Sequence, residues 1–240
     1  MSVPGAASFT VTALRLEGEV RPGDRLARLL LAAADDAGTG LRTGDCLVVT
    51  QKVVSKAEGR LVPVGDDPGA RRRLAEKEAR RVLRRRGDLL ITETRHGWVC
   101  ANSGVDLSNV EAGRAALLPV DPDRSARRIH DELRAVAGVT VAVVISDTFG
   151  RPWRRGLVDV AIGVCGLHAL VDLRGRRDHH GRPLEVTEVA VADEIAAAAE
   201  LVMGKDRRCP AAVVRGLDPA WLGEGRAADL VRPPTEDLFR

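Results

Sequence analysis

Apolar and polar side chains alternate along Phe9-Thr10-Val11-Thr12-Ala13-Leu14-Arg15-Leu16-Glu17, the period of a strand with one wet face. Arg21-Pro22-Gly23-Asp24 is a turn, and the spacing of Leu26, Leu29, Leu30 and Ala33 predicts a helix capped by Asp24. Thr43-Gly44-Asp45 turns the chain into a strand from Cys46 to Thr50. Asp67-Pro68 has the chemistry of a helix start, an N-cap followed by proline in the first turn. It predicts a very basic helix running through Arg86, with Leu74, Ala75, Val82 and Leu83 as its apolar side. Asp121-Pro122-Asp123 repeats the device before a helix from about Arg124 to Ala137. Beyond Gly138 the period shortens. Val139 to Ile145, Val158 to Val164, Ala169 to Leu173 and Leu184 to Val191 are strand-like, punctuated by Gly150, Gly156, Gly166, Gly175 and Gly181. Asp193-Glu194 opens an Ala-rich helix to about Met203, and Ala211 to Val214 is a last strand.

Helices and strands are mixed without a steady βαβα rhythm, which predicts α+β (mixed α/β) rather than a doubly wound Rossmann sheet. The length of 240 residues permits a single unit, with two lobes expected at about 1–65 plus 141–240 and at about 66–140. Hydrophobic residues at 45% and charged residues at 30% place the chain among ordinary globular enzymes. Aromatics are only 2%, so Val, Leu, Ile and Ala must build the core. A net charge of +3 makes no global case for nucleic acid. The basic run from Arg71 to Arg86 reads as a solvated face rather than a binding patch. Cys46, Cys100, Cys165 and Cys209 are widely spaced and read as small buried hydrophobes in a reducing compartment. The N-terminus lacks the charged and apolar regions of a signal peptide, and no run is long enough to span a membrane. A cytoplasmic location without membrane contact is expected.

Two acidic residues carry the candidate chemistry. Asp106 lies in Ala101-Asn102-Ser103-Gly104-Val105-Asp106-Leu107-Ser108-Asn109, and Asp147 in Ser146-Asp147-Thr148-Phe149-Gly150-Arg151-Pro152-Trp153-Arg154. Asp147 and Thr148 close a strand that is apolar on both faces, where a carboxylate is costly unless paired or bound to metal. Hard divalent cations take oxygen ligands, usually one or two carboxylates with phosphate oxygens and water. The following Arg151, Trp153 and Arg154 suit an anionic substrate, because the planar guanidinium can bind two oxygens at once. Lys52 and Lys56, just past the strand ending at Thr50, could meet a nucleotide phosphate. Met203-Gly204-Lys205-Asp206 is not a P-loop, because its glycine ends a helix. His179-His180 reads as a solvated turn, and no Ser-His-Asp or Cys-His nucleophile set stands out. Two rivals remain open: another metal-dependent phosphoryl-transfer enzyme acting on a small carboxylic acid, and a nucleic-acid module built on the basic run.

At these segments the chain resembles the coenzyme F420-0:gamma-glutamyl ligase family. The stretches that carry the resemblance are Thr50 to Arg60, Ala101 to Val110, Leu117 to Asp123, Ser146 to Arg154, Asp159 to Gly163 and Val186 to Lys205, in that order. The resemblance implies a two-lobed mixed α/β fold, an intertwined homodimer, and GTP-dependent joining of L-glutamate to the lactyl carboxylate of a deazaflavin, with Mg²⁺ or Mn²⁺. It implies that Asp106 and Asp147 hold one metal and Thr148 a second, with Asp106, Asp147 and Lys56 serving catalysis. It implies nucleotide contacts at Glu17, Gly18, Glu19 and Val20, at Gln51, Lys56 and Asn109, and along Met203, Gly204 and Lys205 to Pro210. Gly18 stands where relatives carry proline. Lys205 stands where many carry a glutamine that binds the second metal, and a protonated lysine cannot ligate a cation. No C-terminal reductase domain is expected, since the chain stops at Arg240.

Overall fold

The computed structural model describes residues 8–65, 67 and 69–238. Pro68 of the expected helix start, and the first seven residues of the N-terminal reading, lie outside the described residues. In chain order the elements are β1 (Thr10–Leu14), α1 (Leu26–Asp36), β2 (Cys46–Thr50), α2 (Gln51–Ala57), β3 (Leu61–Pro63), α3 (Ala70–Glu78), β4 (Ala79–Arg86), β5 (Leu89–Thr94), β6 (Val99–Ala101), β7 (Arg114–Ala116), α4 (Pro122–Ala137), β8 (Ala142–Arg151), β9 (Arg154–Cys165), β10 (Val171–Asp172), β11 (Glu188–Val189), α5 (Val191–Met203) and β12 (Ala211–Arg215). The class is α+β, as the mixed rhythm of the sequence predicts.

The frame is a five-stranded sheet in the order β1-β12-β2-β8-β9. Only β2 and β8 run parallel; the other neighbours are antiparallel. β2 and β8 are apolar on both faces because both are covered. One face packs Leu47, Val49, Val143, Ile145 and Val213 against α1 and α4. The other packs Val48, Val144, Ala161, Ala212 and Val214 against α5. α4 starts where the sequence places it, with the Asp121 carboxylate accepting from the Arg124 backbone N–H and Pro122 in the first turn. It sits so close to β9 that a Cβ on Gly163 would lie 2.5 Å from the Pro122 carbonyl oxygen. No helix among the described residues is long and apolar enough to cross a membrane.

Three expectations are corrected. Asp24 does not cap α1; its carboxylate accepts from the Arg21 backbone N–H and closes the preceding turn. Asp147 and Thr148 do not end their strand, since β8 runs on to Arg151 and turns straight into β9. The stretch from Gly150 to Gly156 is thus the end of a hairpin. The basic run is not one helix. α3 stops at Glu78, and Ala79 to Arg86 pair with β5 across a tight turn at Gly87-Asp88, Gly87 having φ of +56°. Strand pairing prevails because Val82 favours a strand and the two-residue Gly87-Asp88 turn brings Arg86 opposite Leu89. The arginines are largely answered at home: Arg80 and Arg81 both pair with buried Glu93, Arg85 with Glu76, and Arg73 with Asp67. β4, β5 and β6 form a separate three-stranded sheet, backed by a small core of Ala75, Leu90, Val105, Ala115 and Leu117.

Candidate active site at the open end of the central sheet

β2 ends at Thr50, opposite Ser146, and the chain turns directly into α2. β8 continues past that point, so Asp147 is the first residue of β8 without β2 beside it. This is the carboxyl end of a parallel pair, where open sheets leave room for ligands. Just before it, the pairing of Ile145 with Gly163 and of Ser146 with Ala161 leaves Ile162 as an extra residue, a bulge in β9. Alternation then sends Asp147 to the α4 face, with Ile145, and Ser146 and Thr148 to the α5 face, with Val144.

Asp106 arrives from a different part of the chain. Its backbone N–H donates to the Ala116 carbonyl and its carbonyl accepts from the Ala116 N–H, which ties it to β7. Gly104 allows the approach: its φ is +71° and a Cβ there would lie 2.6 Å from Leu118 Cγ. The neighbouring Asn102 and Ser103 are pins rather than ligands. The Asn102 Oδ1 accepts from the Leu90 N–H, and the Ser103 hydroxyl donates to the Ala75 carbonyl. The Asp106 carboxylate takes the Ser108 backbone N–H at 2.7 Å and the Lys52 ammonium at 2.9 Å. Lys52 also donates to the Ser108 hydroxyl at 2.8 Å.

The two carboxylates titrate in opposite directions. Burial pushes the Asp106 carboxyl up, but the hydrogen bonds and charge of Lys52 and the Ser108 bonds outweigh it and leave its pKa below the usual value. Burial pushes Asp147 up to about 7, and the negative charges of Asp159 and Asp106 add to the shift, against the Thr148 backbone bond and the charge of Lys52. Asp147 is a deeply buried carboxyl with little positive charge nearby, an arrangement that a bound cation would relieve. Among the described residues no three His, Cys, Asp or Glu side chains converge into a protein-only metal cage. Two carboxylates with room for phosphate oxygens and water are what Mg²⁺ usually takes, so the residues present fit such an ion.

Sequence reasoning did not single out Asp159. It stands opposite Thr148 on β9, 2% exposed, and its oxygens accept from the Ser146 hydroxyl at 3.1 Å and the Thr148 hydroxyl at 2.6 Å. The Lys205 ammonium completes the group, 2.9 Å from Asp159 Oδ1, 2.6 Å from Thr148 Oγ1 and 3.3 Å from Glu200 Oε1. Desolvation lowers the Lys205 pKa, but the bonds and charges of Asp159 and Glu200 more than offset it. The available signal was a lone acid between Val158 and Val160 in an apolar strand.

The other expected site residues are scattered in role. Lys56 is nearly buried and pairs with Glu19 at 2.7 Å, which lowers the Glu19 pKa through its hydrogen bond and then its charge. Gln51 is buried and accepts from the Ser55 hydroxyl. Val20 and Met203 lie in the core, so only their backbones can touch a ligand. Glu17, Gly18 and Asn109 are exposed, with Gly18 and Asn109 at positive φ. Gly204 ends α5 at φ of +61°, facing Arg207. Arg151, Trp153 and Arg154 stand at the tip of the β8–β9 hairpin, where Arg151 donates to the Arg155 carbonyl. Arg151 is four strand positions from Asp147, about 13 Å at the usual rise.

An α+β sheet with only one parallel strand pair, and acidic residues at the open end of that pair, belongs to neither the P-loop nor the Rossmann class. Comparison with known proteins narrows it: the chain belongs to the F420-0:Gamma-glutamyl ligase family, whose model matches residues 16–216. It is 44% identical to the coenzyme F420:L-glutamate ligase of Methanopyrus kandleri, over 98% of this chain and 99% of the relative. It is 43% identical to the enzyme of the same name from Methanothermobacter thermautotrophicus, over 92% and 94%. For that of Methanocaldococcus jannaschii the identity is 41%, over 83% and 86%.

Proposed function

We propose that the chain is a GTP-dependent ligase that adds L-glutamate to the lactyl carboxylate of coenzyme F420-0, and that further gamma-linked glutamates can follow. The observation that carries this reading is the Lys52–Asp106 ion pair, beside a buried Asp147 at the open end of the parallel strand pair, in a chain of this family. A carboxylate does not condense with an amine at neutral pH, because its oxygen leaves too poorly. Transfer of the GTP γ-phosphoryl group to the substrate carboxylate gives an acyl phosphate and GDP. The glutamate amine then attacks the acyl carbon, its proton passes to solvent or phosphate, and inorganic phosphate leaves.

The protein's share in such chemistry is positioning and charge neutralisation. Asp106 and Asp147 would hold Mg²⁺ or Mn²⁺, which supplies neutralisation of phosphate charge. Lys52, already against Asp106, places a further positive charge at that spot. Lys56 and Glu19 pair across the gap between α2 and the segment before α1, and this pair would face the nucleoside. Arg151, Trp153 and Arg154 would take the anionic substrates as it docks along the hairpin. The chain would work as a homodimer in the cytoplasm, with no nucleic acid or membrane as partner. The exposure of Trp153 (81%) and Leu157 (68%) on the same hairpin supports contact with a second copy.

The test is mass spectrometry of F420-0 after incubation with the full chain, GTP, Mn²⁺ or Mg²⁺ and L-glutamate. A gain of one or more glutamyl units, dependent on GTP, is expected. Hydrolysis of GTP without any glutamyl product would overturn the reading in favour of a different phosphoryl-transfer reaction.

A further inference from the structure

The Lys205 ammonium makes contacts with three oxygen atoms and has three protons to give. Its partners are the Thr148 hydroxyl at 2.6 Å, the Asp159 carboxylate at 2.9 Å and the Glu200 carboxylate at 3.3 Å. A hydroxyl and two carboxylates are ligands that a hard divalent ion takes. The group is assembled from three elements: Thr148 from β8, Asp159 from β9 and Glu200 from the last turns of α5. Asp159 is 2% exposed, so its charge is costly to keep without a positive group beside it. Ser146 occupies its other oxygen. Thr148 follows Asp147 directly in the chain, so the lysine stands just behind the proposed metal seat, on the opposite face of the same strand.

We propose that Lys205 is a built-in cation of this site: its ammonium fills an oxygen-lined seat that would otherwise hold a divalent ion. This chain then binds one metal ion fewer than it would with a neutral, oxygen-bearing side chain at position 205. The inference rests on the reading of the site as a metal–nucleotide centre, and it specifies how many ions that centre takes. Lys205 is a positioning residue in this account. It fixes Thr148 and Asp159 on one side of β8 while Asp147 serves the other.

The test counts Mn²⁺ bound per chain by electron paramagnetic resonance, on the full chain without nucleotide, so that only protein sites register. Wild type is expected to bind one ion and Lys205→Gln two. The double variant Lys205→Gln with Asp159→Asn should return to one, because the buried carboxylate of the gained site is gone. Lys205→Arg, which keeps a cation in place, should also stay at one. Two ions on the wild type, or equal counts for wild type and Lys205→Gln, would overturn the proposal. So would a gain in Lys205→Arg, and the wild-type count decides even where a variant does not fold. A different outcome strikes the underlying reading instead: no ion on the wild type but one on Lys205→Gln would remove Asp106 and Asp147 as metal ligands and leave the role of Lys205 standing.

Discussion

Asp147 and Asp159 lie on the two strands of one ribbon, a single register step apart, and the chain treats them in opposite ways. Asp159 is sealed among a serine, a threonine and a lysine, so its negative charge is met from within. Asp147 is deeply buried, and burial first, then the charges of Asp159 and Asp106, lift its pKa to about 7. A buried acid with a built-in counter-charge is part of the frame. A buried acid short of counter-charge would, on the proposed reading, be held ready for a cation from outside. The two residues together show how one strand can be structural on one face and chemical on the other.

The largest expected effect breaks this comparison on the Asp147 side. Asp147→Asn should lose at least about 2 to 4 kcal/mol of transition-state stabilisation, the scale of one strong electrostatic contact. Glutamyl transfer rates at saturating substrates check this, and unchanged turnover would remove Asp147 from the chemistry. The same variant has a signature in stability. The folded chain keeps the Asp147 proton from the ordinary 3.8 up to about 7, while the unfolded chain loses it near 3.8. The contribution is therefore full below about pH 4 and fades as pH rises to about 7, by up to about 4 kcal/mol. Urea unfolding in metal-free buffer should show wild type losing stability across that window relative to Asp147→Asn. Parallel profiles would mean that the carboxyl is not strained.

Next comes the other face. Lys205→Met strips Asp159 of its counter-charge and should cost about 1 to 3 kcal/mol, below the usual toll for a broken buried pair because Lys205 is itself half exposed. The urea midpoint at pH 7 reads it. A smaller effect is expected at Lys52→Met, which takes away the charge and hydrogen bond that hold the Asp106 pKa low. Its acid limb of kcat/KM should move to higher pH and the KM for GTP should rise roughly tenfold, a cost of about 1.4 kcal/mol. An unmoved acid limb would detach Asp106 from catalysis. Smallest of all, Arg84→Gln with Arg86→Gln should stay within about 0.5 kcal/mol in stability and leave turnover unchanged, as for exposed charges on a strand edge.

The central strands and the helices α1, α4 and α5 could be read from the chain because each is long, periodic and flanked by turn chemistry. β4 could not, since charged residues fill most of its positions and its partner lies across a two-residue turn. Asp147 was legible as an acid in an apolar run. Asp159 has the same local setting, but its meaning depends on Lys205, 46 residues further on. The loop around Asp106 was legible as a polar cluster. Nothing local tells that Asn102 and Ser103 are consumed by β5 and α3 while Asp106 is left for the centre. Lys52 and Lys56 are four apart on one short helix, yet one faces Asp106 and the other Glu19. Only the packing of α2 against two different segments separates them.

The extra residue at Ile162 reverses the phase of β9: Val160 and Ile162 face α4, but so does Cys165, while Val164 faces α5. The outer half of that strand is thus turned over relative to its inner half. Shortening the chain by one residue there would carry Asp159 round toward the Asp147 side and leave Lys205 with no acid from this strand to meet. Length is therefore fixed at this one inner position, where a single peptide unit decides which face of the ribbon Asp159 takes.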